Sequence, residues 1–532
     1  MGDRRRRSVV ASGLAGLGLG LAGLVQGAQA QDAPQRGGVM VESVSIGEPD
    51  TFDCHATQTF AALARLAPHY SMLVRFDPAT YPKVSPDLAD SWEVAADGLT
   101  YTFHLRPNVR FHDGTVLTSA DVKATYDRIR QPPEGVVSIR SNLYRDISAI
   151  DTPDANTLVM HLSEPNAAML TLLASPWNCV YSAAKLKSDP SYPARTVMGT
   201  GPFKFTSYTA GSEWVGARFD DYFQAGHPYL DGVRIVSTNP SNYLNLIISG
   251  QVMADLRGLP GTDRERAVAA LGDKIRTKQI SSSFPAFMLG VNVDRKPLDD
   301  VRVRQALSLA IDRKTGAQVI GQFVSMSLPG GFMRPGTPWA LPDADLAKLP
   351  GFSPDVAANR AQAKKLLAEA GVRDLKLTML NRPPYPMFGV FLADQFRQVG
   401  VTLTQTQPEN ARFFSMRAAG QYDLVLDGLA DFTDEPSLQF AAGLSFDKSP
   451  MNGSRAVDRK IDEMYDAQSR ELDPAKRLAL VHELESYAIT QSYRIPFLWA
   501  RPWVVMSPRV KDFADAQSPY AGLDFADIWL TP

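Results

Sequence analysis

The stretch LKLTMLNRPPYPMFGVFLADQFRQVGVTLTQ, residues 375–405, changes character twice. Leu375, Leu377 and Met379 recur every second residue, the spacing of a strand with one buried face. A helix is expected from about Met387 to Val399, stopped at Gly400, and Val401–Gln405 reads as the next strand. The flanks continue the alternation. Upstream, Asp299 or Asp300 can cap a helix through Val303, Leu307, Ala310 and Ile311, and a second helix runs from about Pro354 to Ala370 with Gly371 as its stop. Downstream, Tyr422–Leu426 is a further strand. This order predicts an α/β fold with a substantially parallel sheet, which binds ligands in a crevice at its strand ends.

The first half reads differently. Val39–Val44 is a strand. Trp92–Val94, the turn Asp97-Gly98 and a return strand with Leu99, Tyr101, Phe103 and Leu105 on one face make a hairpin. His112-Asp113-Gly114 is a turn, and Thr118 to Asp121 has capping-box spacing for a helix toward Arg130. Gly199-Thr200-Gly201-Pro202-Phe203 is not a phosphate loop. No Gly-Lys-Ser/Thr follows it, and Pro202 removes a backbone donor, so a tight turn into a strand is expected.

The N-terminus predicts a cleaved signal peptide over residues 1–30. Arg4 to Arg7 are a basic start, Val9 to Gln26 carry no charge, and Ala28-Gln29-Ala30 fits a small-x-small cleavage pattern. A single membrane anchor is the alternative, but the run is glycine-rich and barely long enough. Arg6-Arg7-Ser8-Val9-Val10 is similar to a twin-arginine motif, so the general and twin-arginine export routes both remain open. No cysteine sits at the cleavage point, so a non-lipidated protein free in the periplasm is expected.

The formal charge is −2; the leader's Arg4–Arg7 and Asp3 carry +3, which leaves −5. That balance gives no footing for nucleic acid. The two cysteines, Cys54 and Cys179, can pair in an oxidising compartment or stay as separate buried thiols. There is no HExxH, the seven histidines are scattered without metal-ligand spacing, and no G-x-S-x-G elbow occurs. No catalytic residue, metal or cofactor is expected.

Four pieces, in order, resemble one family. They are Leu88–Arg106 with Phe111–Gly114 and Ser119–Val122; Gly199–Phe203 with Asp221–Phe223 and Pro228–Asp231; Asp300–Leu307 with Ala310–Arg313; and the Asp431–Pro436 segment. The chain resembles the bacterial extracellular solute-binding proteins of the dipeptide, oligopeptide and nickel group. The resemblance implies an α/β type II periplasmic binding protein, two lobes joined by a hinge, with an extra domain in the first. Lobe 1 is expected from residues 38–78, 195–293 and 494–532, the extra domain from 79–194, and lobe 2 from 294–493, the chain returning through Pro496–Trp499. The implied function is capture of a small solute, peptide or peptide-like, by hinge closure. Delivery would be to an inner-membrane ABC permease with its own ATPase subunits, by a monomer. A periplasmic sensor or chaperone-like binder uses the same trap; a secreted hydrolase is the more distant alternative.

Candidate ligand contacts follow from the resemblance and from residue type. Asp431 and Asp434 are candidates for a ligand amine, against the alternative of capping a turn before Leu438. His55 lies where the chain passes the cleft, and Arg334 can pair with a ligand carboxylate. Trp177 and Trp339 can stack on a ligand or pack in the core.

Overall fold

The computed structural model describes residues 33–45, 47–57, 59–239, 242–280, 286–383, 385–429, 433–513 and 520–532. The chain divides into two compact units, Met1–Pro34 and Gln35–Pro532; the leader, residues 1–30, lies outside the described residues.

Gln35–Pro532 begins with β1 (Val39–Val44) and α1 (Phe60–Leu66). It then builds a separate antiparallel sheet from β2 (Ala89–Val94), β3 (Thr100–Leu105), β4 (Ile147–Asp154) and β5 (Thr157–Leu162), in the order β2-β3-β5-β4. The hairpin β2–β3 forms as its alternation predicts: Tyr101, Phe103 and Leu105 are buried while His104 faces out. Gly98 turns the corner at φ +69°, a conformation that side-chain-bearing residues rarely adopt. α2 (Ser119–Arg130) starts at the expected reciprocal capping box of Thr118 and Asp121.

The chain returns as β6 (Phe203–Thr209), β7 (Glu213–Arg218), β8 (Gly232–Ser237), β9 (Ala254–Leu259) and β10 (Arg276–Gln279). Next come β11 (Ala286–Val291), α3 (Val301–Ala310), α4 (Arg313–Ile320), β12 (Met326–Pro329), α5 (Val356–Glu369), β13 (Lys376–Leu380), α6 (Pro386–Arg397), β14 (Thr402–Thr406) and β15 (Leu424–Leu429). α7 (Pro436–Ala441), α8 (Arg459–Arg470), α9 (Pro474–Gln491), β16 (Arg494–Ala500) and β17 (Trp503–Met506) follow. Asp300 caps α3 as expected, its carboxylate accepting from Arg302 N–H. Gly371 follows α5 at φ +71°.

Two large sheets result. One has the order β10-β17-β9-β1-β8-β7-β6, with β1 parallel to both β8 and β9. The other is β12-β16-β11-β15-β13-β14. Only β14, β13 and β15 of the second sheet are mutually parallel; β11, β16 and β12 add antiparallel pairs. The expected parallel sheet is therefore half right, because β11 enters directly from the other sheet and β16 leaves directly to it, neither link being a crossover helix. β11 is buried along its whole length, with Phe287, Leu289 and Val291 in one core and Ala286 and Met288 in another. Both faces of the sheet are covered, which is why this run reads as continuously apolar.

β11 and β16 pair with each other inside the six-stranded sheet, so the chain passes between sheets at residues 280–286 and 500–503. Pro496–Trp499 belong to that sheet and are not the return to the first. Among the described residues no helix is long and apolar enough to cross a membrane.

Candidate functional site

The position of the crevice follows from strand direction alone. Leu259, the carboxyl end of β9, pairs with Trp503 at the start of β17, and Gln279 at the end of β10 pairs with it too. β1 and β8 run parallel to β9, so their carboxyl ends lie at the same edge. In the second sheet Ala286 pairs with Leu429 and with Trp499, which brings the carboxyl ends of β15, β13 and β14 to the edge where the chain crosses. Both sets of parallel strands thus end at the two crossovers, where α/β sheets take ligands. The crossovers are themselves bonded: Ile280 N–H donates to Pro502 O at 3.0 Å and Gln279 Nε2 to Arg501 O at 3.3 Å.

Beyond β1, the segment Asp53–Ala56 is pinned to α2 and to the stretch around Tyr181. A disulfide joins Cys54 and Cys179, with Cα atoms 6.1 Å apart. Arg128 donates Nη1 and Nη2 to the two Asp53 carboxylate oxygens at 3.2 and 2.5 Å, and the Tyr181 hydroxyl donates to Oδ1 at 3.1 Å. All of these groups are buried, so the ion pair is well supplied with hydrogen bonds. His55 lies in the same cluster and is buried. Its Nε2 bonds Cys179 O at 3.1 Å and its Nδ1 meets Arg128 Nη1 at 2.9 Å. A guanidinium can only donate, so Nδ1 accepts and Nε2 carries the proton.

Burial, with the charge of Arg128 adding to it, pulls His55 from 6.5 down to about 3. Between those values the unfolded chain takes up a proton that the folded one refuses. The stability present above pH 6.5 is lost as the pH falls toward 3, by about 1.4 kcal/mol per unit for this one group. His55→Gln is therefore expected to make the acid limb of the stability curve shallower by that slope, in urea midpoints taken from about pH 7 to pH 4. Parallel curves for variant and wild type would overturn the assignment.

Trp177 is buried, with the Arg140 guanidinium 4.7 Å from its ring centroid. Trp339 packs against the core of the six-stranded sheet, with Arg477 5.0 Å from its ring. Arg334 and Asp434 meet each other. Arg334 Nε donates to Oδ1 at 2.9 Å and Nη2 to Oδ2 at 2.6 Å, and both side chains are 3 % exposed. A fork-to-fork pair of this kind leaves neither charge available to solvent or ligand. The loop that carries Arg334 is held by Glu485, whose buried carboxyl accepts N–H bonds from Met333 at 2.9 Å and Leu341 at 3.3 Å; burial pushes it up to about 7. Asp431 lies outside the described residues. Among the described residues no three His, Cys, Asp or Glu side chains converge as metal ligands.

One residue escaped the sequence reading. Arg382 directly follows Asn381 at the carboxyl end of β13, half-buried at the crevice edge. Its guanidinium lies 5.2 Å from the Tyr385 ring and 5.8 Å from Phe413. Among the described residues it has no ion pair and no side-chain hydrogen bond. Asn381 shapes the loop around it: Oδ1 accepts from Arg382 N–H at 2.7 Å, while Nδ2 donates to Tyr385 O at 2.7 Å and to Gln405 Oε1 at 3.1 Å. Aromatic faces orient the cation and leave its five N–H donors unspent. The available signal was an arginine just after a parallel strand and before Pro383.

The description "Bacterial extracellular solute-binding proteins, family 5 Middle" matches residues 83–449. The Di/tripeptide-binding protein 1 of Pseudomonas aeruginosa is 25% identical over 502 residues, covering 88% of this chain and 90% of that protein. The Glutathione-binding protein GsiB of Salmonella typhimurium is 26% identical over 428 residues, covering 78% and 80%. Among solved structures, AgaA from A. tumefaciens R10 in complex with agropinic acid superposes with a TM-score of 0.76 at 26% identity, covering 93% and 99%. The periplasmic binding protein DppA from Helicobacter pylori, in complex with peptide STSA, gives 0.79 at 20%, covering 94% and 99%, and shares the type II periplasmic binding fold. With its fold, its crevice at two sets of strand ends and a family match over most of its length, the chain belongs to the bacterial extracellular solute-binding proteins of family 5.

Proposed function

We propose that this solute-binding protein captures a small carboxylate-bearing solute, a short peptide or a peptide-like compound, in the crevice and presents it to an ABC importer. The observation that carries this reading is Arg382, a guanidinium stacked on Tyr385 and Phe413 where the parallel strands end, with no ion pair among the described residues. A fork of donors in that position suits a carboxylate. Two relatives are named for di/tripeptides and for glutathione, and AgaA was solved in complex with agropinic acid; a peptide ends in a carboxylate, and agropinic acid is by name an acid.

In this reading one lobe is the seven-stranded sheet, with the four-stranded sheet as its extra domain, and the other lobe is the six-stranded sheet. The hinge is the pair of crossovers at 280–286 and 500–503. Ligand touches both lobes only when they are closed and so draws the equilibrium toward the closed form. The protein works as a monomer in the periplasm, exported through a cleaved leader without a lipid anchor. It leaves its ligand chemically unchanged, and partner subunits supply the energy of transport.

The test is calorimetric titration with dipeptides, tripeptides and opines, each beside a form whose carboxylate is capped as an amide. Free acids are expected to bind, with amides and the Arg382→Ala variant weakened about thirty- to a hundredfold, the value of a lost charge-assisted hydrogen bond. Equal affinity of Arg382→Ala and wild type for every ligand that binds would sink the role of Arg382.

A further inference from the structure

The turn that carries Asp434 is held from both sides of the crevice. Tyr81, in the core of the seven- and four-stranded sheets, accepts the Asp434 N–H on its hydroxyl at 3.3 Å. Leu438, on the first turn of α7, is buried in that same core. Phe440, two residues on, stacks on Phe332 at 5.4 Å in a core of the six-stranded sheet. Glu435 caps α7 by accepting from Ser437 N–H at 3.2 Å, and its carboxylate is paired with Arg477. Arg477 Nη1 reaches Ala167 O at 3.5 Å, and Ala167 N–H donates to Ser469 O at 2.9 Å. Ala167 follows β5 of the four-stranded sheet. Contacts between the halves therefore come from two places: the turn just after β15, at the crevice edge, and the end of α8 with the start of α9 against the four-stranded sheet.

We infer that the turn Thr433–Leu438 is the catch that holds the two halves closed, and that Asp434 and Glu435 are positioning residues for it rather than ligand contacts. Each carboxylate is already neutralised, Asp434 by Arg334 and Glu435 by Arg477, so what they fix is the shape of the turn. The element that crosses is apolar. Opening the crevice returns the Leu438 side chain to water, and this cost falls on the open form alone. The pair Arg470–Glu164 also crosses at 2.5 Å, but both side chains are about half exposed and it adds little. The inference rests on the crevice opening and closing as a trap, and it supplies the part of the closing force that comes from the protein itself.

Small-angle X-ray scattering of the full chain without ligand tests it, on wild type, Leu438→Ala and Tyr81→Phe. Leu438→Ala is expected to move the closed-to-open ratio about tenfold toward open, read as a larger radius of gyration with unchanged circular dichroism, and Tyr81→Phe about threefold. If Leu438→Ala loses its secondary structure, Tyr81→Phe decides. Scattering curves identical to wild type overturn the inference even where peptides bind. Failure of every ligand to bind leaves the scattering result standing, so the catch and the ligand assignment fail separately.

Discussion

Loss of the Cys54–Cys179 bond, by paired Cys→Ser replacement, is expected to lower the unfolding free energy by about 5 kcal/mol. The two residues are separated by 125 positions, and closing a loop of that length in the unfolded chain is worth about that much in the chain-entropy account. The bond is also the frame of a buried cluster. Asp53, Arg128, Tyr181 and His55 bond one another on either side of it, so its loss loosens an ion pair that has no water to fall back on. Both cysteines are fully buried, so a thiol reductant added to the native protein is expected to leave the bond intact and to act only after unfolding. Guanidinium midpoints of the double variant and wild type, converted through a common slope, measure the difference. A difference below about 1 kcal/mol would show that the unfolded chain keeps these segments together without the bond.

Asp434→Ala and Arg334→Ala are each expected to cost about 3–5 kcal/mol, since each leaves a charge buried without its partner. The pair is 3 % exposed on both sides and bonded through two parallel contacts, so no water replaces the missing group. Joint replacement by apolar residues, Arg334→Met with Asp434→Leu, is expected to recover most of the loss, because neither charge then remains to be desolvated. Chemical denaturation of the two single variants and the double variant closes the cycle. The result that would overturn this account is an Asp434→Ala protein of native stability that has lost its ligand; it would return Asp434 to direct ligand contact, as the resemblance implied.

The sequence reading succeeded where the signal is local. The hairpin through Asp97-Gly98, the capping box at Thr118 and the Asp300 cap are decided within a few residues, and each stands where its pattern puts it. Strands β13 and β14 fall within a residue or two of the alternation in residues 375–405. What was not legible is long-range pairing. Arg334 and Asp434 lie 100 positions apart, and no spacing rule links them. Two charges suited to the two ends of a peptide read, one at a time, as two ligand contacts; only the fold brings them together and cancels them. The partners of His55 were hidden for the same reason, Arg128 and Cys179 being 73 and 124 residues away. Arg382 is the converse case. It was overlooked because its sequence context is ordinary, and it stands out through the absence of a carboxylate partner among the described residues. The sheet membership of β11 and β16 was not legible because both are buried throughout, and a run without alternation does not say which sheet it belongs to.

The placing of β16 and β17 governs the order in which the molecule can be completed. These consecutive strands, Arg494–Ala500 and Trp503–Met506, lie inside different sheets: β16 between β12 and β11, β17 between β10 and β9. A nascent chain that stops short of them has a gap in both sheets at once. The four-stranded sheet, closed within Ala89–Leu162, is the one sheet of four or more strands free of this requirement. The two large sheets can be completed only after about nine-tenths of the chain has been synthesised, because strands from Arg494 onward fill the gaps in both. A polypeptide built this way keeps both large sheets, and the crevice at their strand ends, unfinished until its last tenth is being made.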